Sequence, residues 1–310
     1  MLLYFKIRKN LCRYCLIQRL LLNLHQIINM KQLTIIIVSL VSILLTSCGS
    51  YNKVLKTSDY IYKYETAKEF YAAGMYNRAN LLLQDVIRSL KGTDKGEESL
   101  YLLAMSSYKS HDYDAAHTYF SKYFQVYPRG LFAEEACFYS ARSLYMTVPE
   151  TKLDQTATYN AVTEFQNFLE AYPTSAYNDE VQDLIFKLQD KLVEKEYLSA
   201  KLYYDLGTYF GNCTNGGSNY QACIITAENA IRDFPYTSRR ENFAILILRA
   251  KFDLAKQSVE EKKEERYHDA IDEYYGFTNE FPESPYMKEA QAMFAKVQKY
   301  VKSDNNSSEE

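Results

Sequence analysis

Six cysteines and four histidines are the side chains of this 310-residue chain best suited to nucleophilic, redox or metal chemistry. Cys12 and Cys15 form one C-x-x-C pair, but no second pair or histidine cluster accompanies it, so the ligand set of a structural zinc site is not reached. His25 lies in the same basic N-terminal stretch. His111 and His268 fall at expected inter-helix turns, and His117 falls on a helix with no metal partner at ligand spacing. Cys213 and Cys223 flank the run Asn215–Asn219, which leaves two readings open: a disulfide in an oxidising compartment, or a Cys223 that simply packs. The sequence carries no phosphate-cradling glycine loop, dinucleotide fingerprint, nucleophile elbow or paired-histidine zinc motif. The charged runs Glu97-Glu98, Glu134-Glu135 and Glu260–Arg266 read as solvated helix faces. The expectation is a protein that is not an enzyme and holds no cofactor or metal.

Positioning elements follow from composition. Apolar residues make up 47% and charged residues 24%, with only 10 Gly and 6 Pro, which favours long helices over many tight turns. Tyr is abundant at 30 against 16 Phe and no Trp, so many rings must be half-buried with a wet hydroxyl. Residues 1–47 hold six bases and no acids; the remaining chain holds 30 bases against 39 acids, a net charge of −9 that disfavours a general nucleic-acid binder. Met30-Lys31 opens an apolar stretch, Leu33–Leu45, too short to span a bilayer, which takes roughly 20 residues, and suited to a secretory signal. It ends in Leu45-Thr46-Ser47-Cys48. That end resembles the lipobox of bacterial lipoproteins, and the resemblance implies acylation of Cys48 as the mature N-terminus. Residues 1–29 are then expected to be an upstream extension, 30–47 a signal peptide, and 48–57 a lipidated linker.

The body of the chain repeats. Tyr127-Pro128, Tyr172-Pro173, Phe234-Pro235 and Phe281-Pro282 each mark a helix end, because proline biases the preceding residue away from helix. Fifteen residues before these prolines stand Tyr113, Thr158, Tyr220 and Tyr267, followed three residues later by Ala116, Ala161, Cys223 and Ala270. An earlier copy keeps Tyr76, Ala79 and Leu83 and ends at Gly92. Steps of three, four and seven place these residues on one helix face, where the small side chain admits a partner helix. The partner lies upstream, with Ala67 and Ala104 nine residues before Tyr76 and Tyr113. This pattern resembles the tetratricopeptide repeat. The expected fold is an all-α solenoid of about five helical hairpins over 58–92, 97–130, 131–175, 176–238 and 239–284. Inserted residues fall at Thr147–Gln155, and long first helices at Asp179–Tyr209 and through Lys262. Ser284-Pro285 is expected to open a cap helix, Met287–Val301, and 302–310 to form a disordered tail. Cys223 in the small-residue slot favours its packing role.

In tetratricopeptide arrays the first helices line a peptide-binding face. By helix phase that face carries Tyr64, Lys68 and Tyr71, then Tyr101, Met105 and Tyr108; equally, these rings can pack on the neighbouring repeat. A lipobox followed at once by five such repeats resembles the BamD family of outer-membrane assembly lipoproteins, from Cys48 to about Val301. The resemblance implies a periplasm-facing, lipid-anchored subunit of the β-barrel assembly machinery. It implies N-terminal repeats that bind unfolded barrel proteins, and C-terminal repeats that bind the periplasmic domain of BamA. The extra tyrosines and the Asn212–Asn219 loop depart from the family. Two other roles fit an envelope lipoprotein of this kind: a scaffold of another system, such as a pilus pilotin or Tol-Pal coordinator, or a SusD-like glycan binder, for whose large loops the chain has no room.

Overall fold

The structure, a computed structural model, describes residue 35, residues 51–209 and residues 218–307, with side chains described as far as residue 300. Among the described residues no strand occurs. The helices are α1 (Tyr60–Ala72), α2 (Tyr76–Ser89), α3 (Asp94–Lys109), α4 (Tyr113–Val126), α5 (Ala133–Thr147), α6 (Thr156–Ala171), α7 (Asn178–Leu206), α8 (Asn219–Asp233), α9 (Arg240–Lys256), α10 (Glu260–Glu280) and α11 (Met287–Ser307). They form two compact units, residues 1–110 and 111–310. In the first, α1 packs on α2, α2 on α3, and α1 also touches α3. In the second, each helix from α4 onward packs on the next, and the alternate helices α7, α9 and α11 also touch. Contacts between neighbours and next-but-one neighbours are those of stacked helical hairpins. Among the described residues the fold class is all-α and tetratricopeptide-repeat-like.

The small residues sit where helices must approach closely. Ala67, Ala79, Ala104, Ala116, Ala161 and Cys223 are fully buried, and Ala270 is 2% exposed. Larger side chains then fill the space between hairpins: Phe138, Phe165, Phe168 and Leu188 in one cluster, Phe243, Leu246 and Ile247 in another. Gly96 is a second kind of close approach, since a Cβ there would lie 2.0 Å from the Leu90 carbonyl oxygen.

Four linkers share one geometry. The residues before proline, Tyr127, Tyr172, Phe234 and Phe281, have φ of −127°, −131°, −128° and −127°, outside the helical range. Each next helix starts five residues past its proline, at Ala133, Asn178, Arg240 and Met287. Within the linker the amides of Gly130, Ser175, Thr237 and Ser284 donate back to the aromatic residue's carbonyl at 2.9–3.1 Å. Ser175, Thr237 and Ser284 then accept, through their hydroxyl oxygens, the amides of Tyr177, Arg239 and Tyr286 at 3.0–3.1 Å. Gly130 has no hydroxyl. There the corresponding amide, of Phe132, donates instead to the Tyr123 hydroxyl at 3.1 Å, and Tyr123 is fully buried.

Several boundaries differ from the sequence expectation. Helix α9 ends at Lys256 rather than Lys262, and Val259 is extended, with φ −63° and ψ 151°. The run Glu260–Arg266 therefore opens α10, where Glu260 and Glu261 meet the positive end of the helix dipole. His268 accordingly lies within α10, exposed, and not at a turn. Helix α7 stops at Leu206 because Gly207 takes a positive φ of 49°. Ser284-Pro285 precedes α11 as part of the shared linker and does not cap it directly. Helix α11 continues past Val301 to Ser307, in a stretch with no Gly or Pro to stop it. Residues 51–56, placed in a linker by the sequence, are helical; Val54 is 5% exposed and the Tyr51 ring packs edge-on against Phe70 at 5.5 Å. The insertion at 148–155 is a loop held by Gln155, 5% exposed, whose Nε2 donates to the carbonyls of Glu150 and Leu153 at 2.9 and 3.0 Å. Cys48, the signal segment apart from Ile35, residues 1–29 and Cys213 lie outside the described residues.

Two stability measurements check this account. Tyr123→Phe removes the acceptor for the buried Phe132 amide and is expected to cost about 1–3 kcal/mol. Adding Gly130→Ser should return part of that loss by restoring the hydroxyl that the other three linkers use, whereas Gly130→Ser without any rescue in urea unfolding would contradict the shared linker geometry. Ala161→Leu and Ala270→Leu each force bulk into a close helix contact and should cost about 1–3 kcal/mol. Unchanged melting temperatures in both would refute the crossing assignment.

Candidate functional site

The candidate peptide-binding face of the first unit is built on α1 and α3. Its expected members separate by burial. Tyr64 is 3% exposed, Tyr101 9% and Met105 4%, so these three belong to the packed interior and do not line an open groove. The helix-phase argument put them opposite the Ala67 and Ala104 crossings, but a first helix packs on more than one neighbour, and that opposite side is covered too. Lys68, Tyr71 and Tyr108 are half-buried and reach solvent. Tyr71 also packs edge-on against Tyr76 at 5.5 Å.

The charges on this face are already organised among themselves. Lys68 Nζ lies 2.8 Å from the Glu98 carboxylate and donates to the Tyr64 hydroxyl at 3.3 Å. The Tyr64 hydroxyl in turn donates to Glu98. Lys68 and Lys95 each place their ammonium 5.1 Å from the Tyr64 ring centroid, and Lys95 pairs with Glu65 at 3.3 Å. The hydrogen bond to Glu98, then that to Tyr64, raises the Lys68 pKa well above its ordinary value. Burial alone would raise the Glu98 carboxyl, but the bonds from Lys68 and Tyr64 outweigh it and hold it low. Burial and the Glu98 bond push the Tyr64 phenol up. A ligand carboxylate on Lys68 must therefore displace Glu98. Sequence reasoning missed this because Glu98 was read as part of a solvated charge run; its i,i+3 spacing from Lys95, on the helix facing α1, was the available signal.

Other chemically capable groups are packed. Cys137 and Cys223 are buried free thiols, pushed by desolvation to about 11 and about 12, so they stay protonated at neutral pH. His117 Nδ1 lies 3.0 Å from the Ser140 hydroxyl and links α4 to α5. His111 holds the turn before α4 with φ 63° and its Nδ1 is 2.7 Å from the Tyr113 hydroxyl. Among the described residues no group of three or more His, Cys, Asp and Glu is placed to hold a metal ion, and no helix is long and apolar enough to cross a membrane.

Stacked helical hairpins define an α-helical repeat protein. The chain belongs to the outer membrane lipoprotein family YfiO, whose profile matches residues 58–215. A relative from Aquifex aeolicus (strain VF5), named an "outer membrane protein assembly factor BamD", is 26% identical over 216 residues. That match covers 67% of this chain and 66% of the relative, so the chain spans about two thirds of the curated relative it matches. Among solved structures, TPR-like repeats of a Podosopora anserina kinesin light chain cover 76% of this chain and 95% of their own, at 14% identity and a TM-score of 0.29.

The Lys68–Glu98 pair has a pH window. Glu98 is held below its ordinary value, so its contribution is present above the unfolded carboxyl pKa of about 4.3 and is lost as pH falls. Lys68 is raised, so its contribution is complete below about pH 10 and is lost at higher pH. With both groups partly in water, Glu98→Gln is expected to cost about 1 kcal/mol at pH 7. That gap should shrink as pH falls below the unfolded carboxyl value and through the lowered folded one. A gap in urea midpoint that is constant from pH 3 to pH 7 would contradict the assignment.

Proposed function

We propose that this chain is a lipid-anchored scaffold of outer-membrane β-barrel assembly, acylated at Cys48 and held at the periplasmic face of the outer membrane. It binds the periplasmic domain of BamA and unfolded barrel proteins on their way into the membrane. The observation that carries this reading is the outer membrane lipoprotein profile over 58–215, together with the assembly-factor name of the Aquifex relative. The repeat fold supports it, because stacked hairpins supply surface for partners rather than an enclosed reaction site. The lipobox-like Leu45–Cys48 behind an apolar signal supports the anchor. More than one acyl chain makes such an anchor firm, at about 0.8 kcal/mol per buried methylene.

The client-binding face narrows to the solvent-reaching members Lys68, Tyr71 and Tyr108, with Tyr64, Tyr101 and Met105 as the packed layer beneath. A C-terminal barrel strand offers aromatic side chains to the tyrosines and a terminal carboxylate to compete with Glu98 for Lys68. Replacing Tyr71 and Tyr108 together by Ala should weaken binding of a C-terminal barrel peptide about tenfold or more with helicity retained. Glu98→Gln should tighten it, since the competing carboxylate is gone. The whole reading is tested by purifying the acylated chain from membranes: BamA should co-purify, and Cys48→Ser should accumulate as unprocessed precursor. Normal processing and acyl labelling of Cys48→Ser, or a purified chain free of BamA, would contradict it.

A further inference from the structure

The anchor has almost no slack. Cys48 stands three residues before Tyr51, a span of at most about 11 Å even when fully extended. Tyr51 is not part of a loose tether. Residues 51–56 are helical, Val54 is buried, and the Tyr51 ring packs on Phe70 at 5.5 Å. The Arg78 guanidinium lies 5.5 Å from the Tyr51 ring centroid and 5.8 Å from that of Phe70, and the Tyr51 hydroxyl donates to the Arg78 carbonyl at 3.4 Å. The docking point is therefore the α1–α2 turn, and an acyl group on Cys48 brings that turn to the bilayer surface.

The turn is suited to that place. Phe70–Asn77 contains no charged residue, although charged residues make up 24% of the chain. Ala72, Ala73, Gly74, Met75 and Asn77 are exposed, with Met75 at 44%. The α5–α6 loop, by contrast, carries Glu150, Lys152 and Asp154, and Lys256 and Glu260 flank the α9–α10 turn. Arg78 adds one positive charge beside the rings and the Met75 sulfur, 3.6 Å away. Half-buried aromatic rings, a methionine and an arginine form the side-chain set that partitions to the headgroup region of a bilayer.

We propose that the α1–α2 turn, with Tyr51 and Arg78, is a membrane-contact surface that lies among phospholipid headgroups beside the acylated Cys48. The inference rests on the lipid-anchor reading given above. It makes the first repeat a fixed foot, set against the bilayer by both the acyl chains and the turn.

The test uses the acylated chain, purified from membranes and placed in vesicles of phosphatidylethanolamine and phosphatidylglycerol. A Cys213→Ser background carries an environment-sensitive fluorophore at Met75→Cys or, as a control, at Lys91→Cys. Lys91 is exposed beyond the far end of α2, about 20 Å along that helix. Cys137 and Cys223 are buried and do not compete for label. A nitroxide on the lipid headgroup is expected to quench position 75 at least twofold more than position 91. Equal quenching at both positions, with the protein still floating with the vesicles, overturns the membrane surface and leaves the anchor standing. Failure to float, with no acyl group on Cys48, overturns both. Shielding of position 75 in native membranes but not in lipid-only vesicles assigns the turn to a protein partner and overturns the proposal as well.

Discussion

The structure depends on the steric restriction that a proline places on the aromatic residue before it. At Tyr127, Tyr172, Phe234 and Phe281 that restriction ends a helix at a defined residue and sends the chain out with nearly the same φ each time. Because the next helix always begins five residues past the proline, each hairpin is handed to the next in the same register. The one linker with glycine in place of Ser or Thr, at Gly130, satisfies the same amide through Tyr123, so its polar accounting is kept by a different side chain.

Ion pairs between successive first helices add to this frame. Arg249 grips Glu289 with two bonds of 2.7 Å from α9 to α11, and Arg239 reaches Glu194 on α7 at 2.5 Å. Arg142 pairs with Glu180 from α5 to α7. Partly exposed pairs of this kind contribute modestly to stability, about 0–1 kcal/mol each, but they select the neighbour and its height along the stack.

The fold was legible in the sequence to the extent that its determinants are local. The aromatic-proline pairs and the tyrosine-to-small-residue steps locate helix ends and the small residues that are buried. Boundaries failed where two signals overlapped. Glu260–Arg266 is charged on all sides, so periodicity does not say which of two flanking helices owns it, and only the extended Val259 decides. The segment 51–56 was missed because a single turn buries little, and its partners Phe70 and Arg78 are distant in sequence. Helix phase places six residues on one candidate face but cannot tell an exposed ring from an inter-helix ring; burial separates Lys68, Tyr71 and Tyr108, which reach solvent, from Tyr64, Tyr101 and Met105, which are packed.

Under the proposed role in barrel assembly, loss of this outer membrane lipoprotein changes the composition of the outer membrane. The most direct measurement is quantitative proteomics of the outer membrane after depletion of this chain. The account predicts loss of β-barrel proteins as a class within a few generations, with other outer-membrane lipoproteins retained. Barrel proteins unchanged in abundance, with a different envelope system lost instead, would contradict the assignment to barrel assembly.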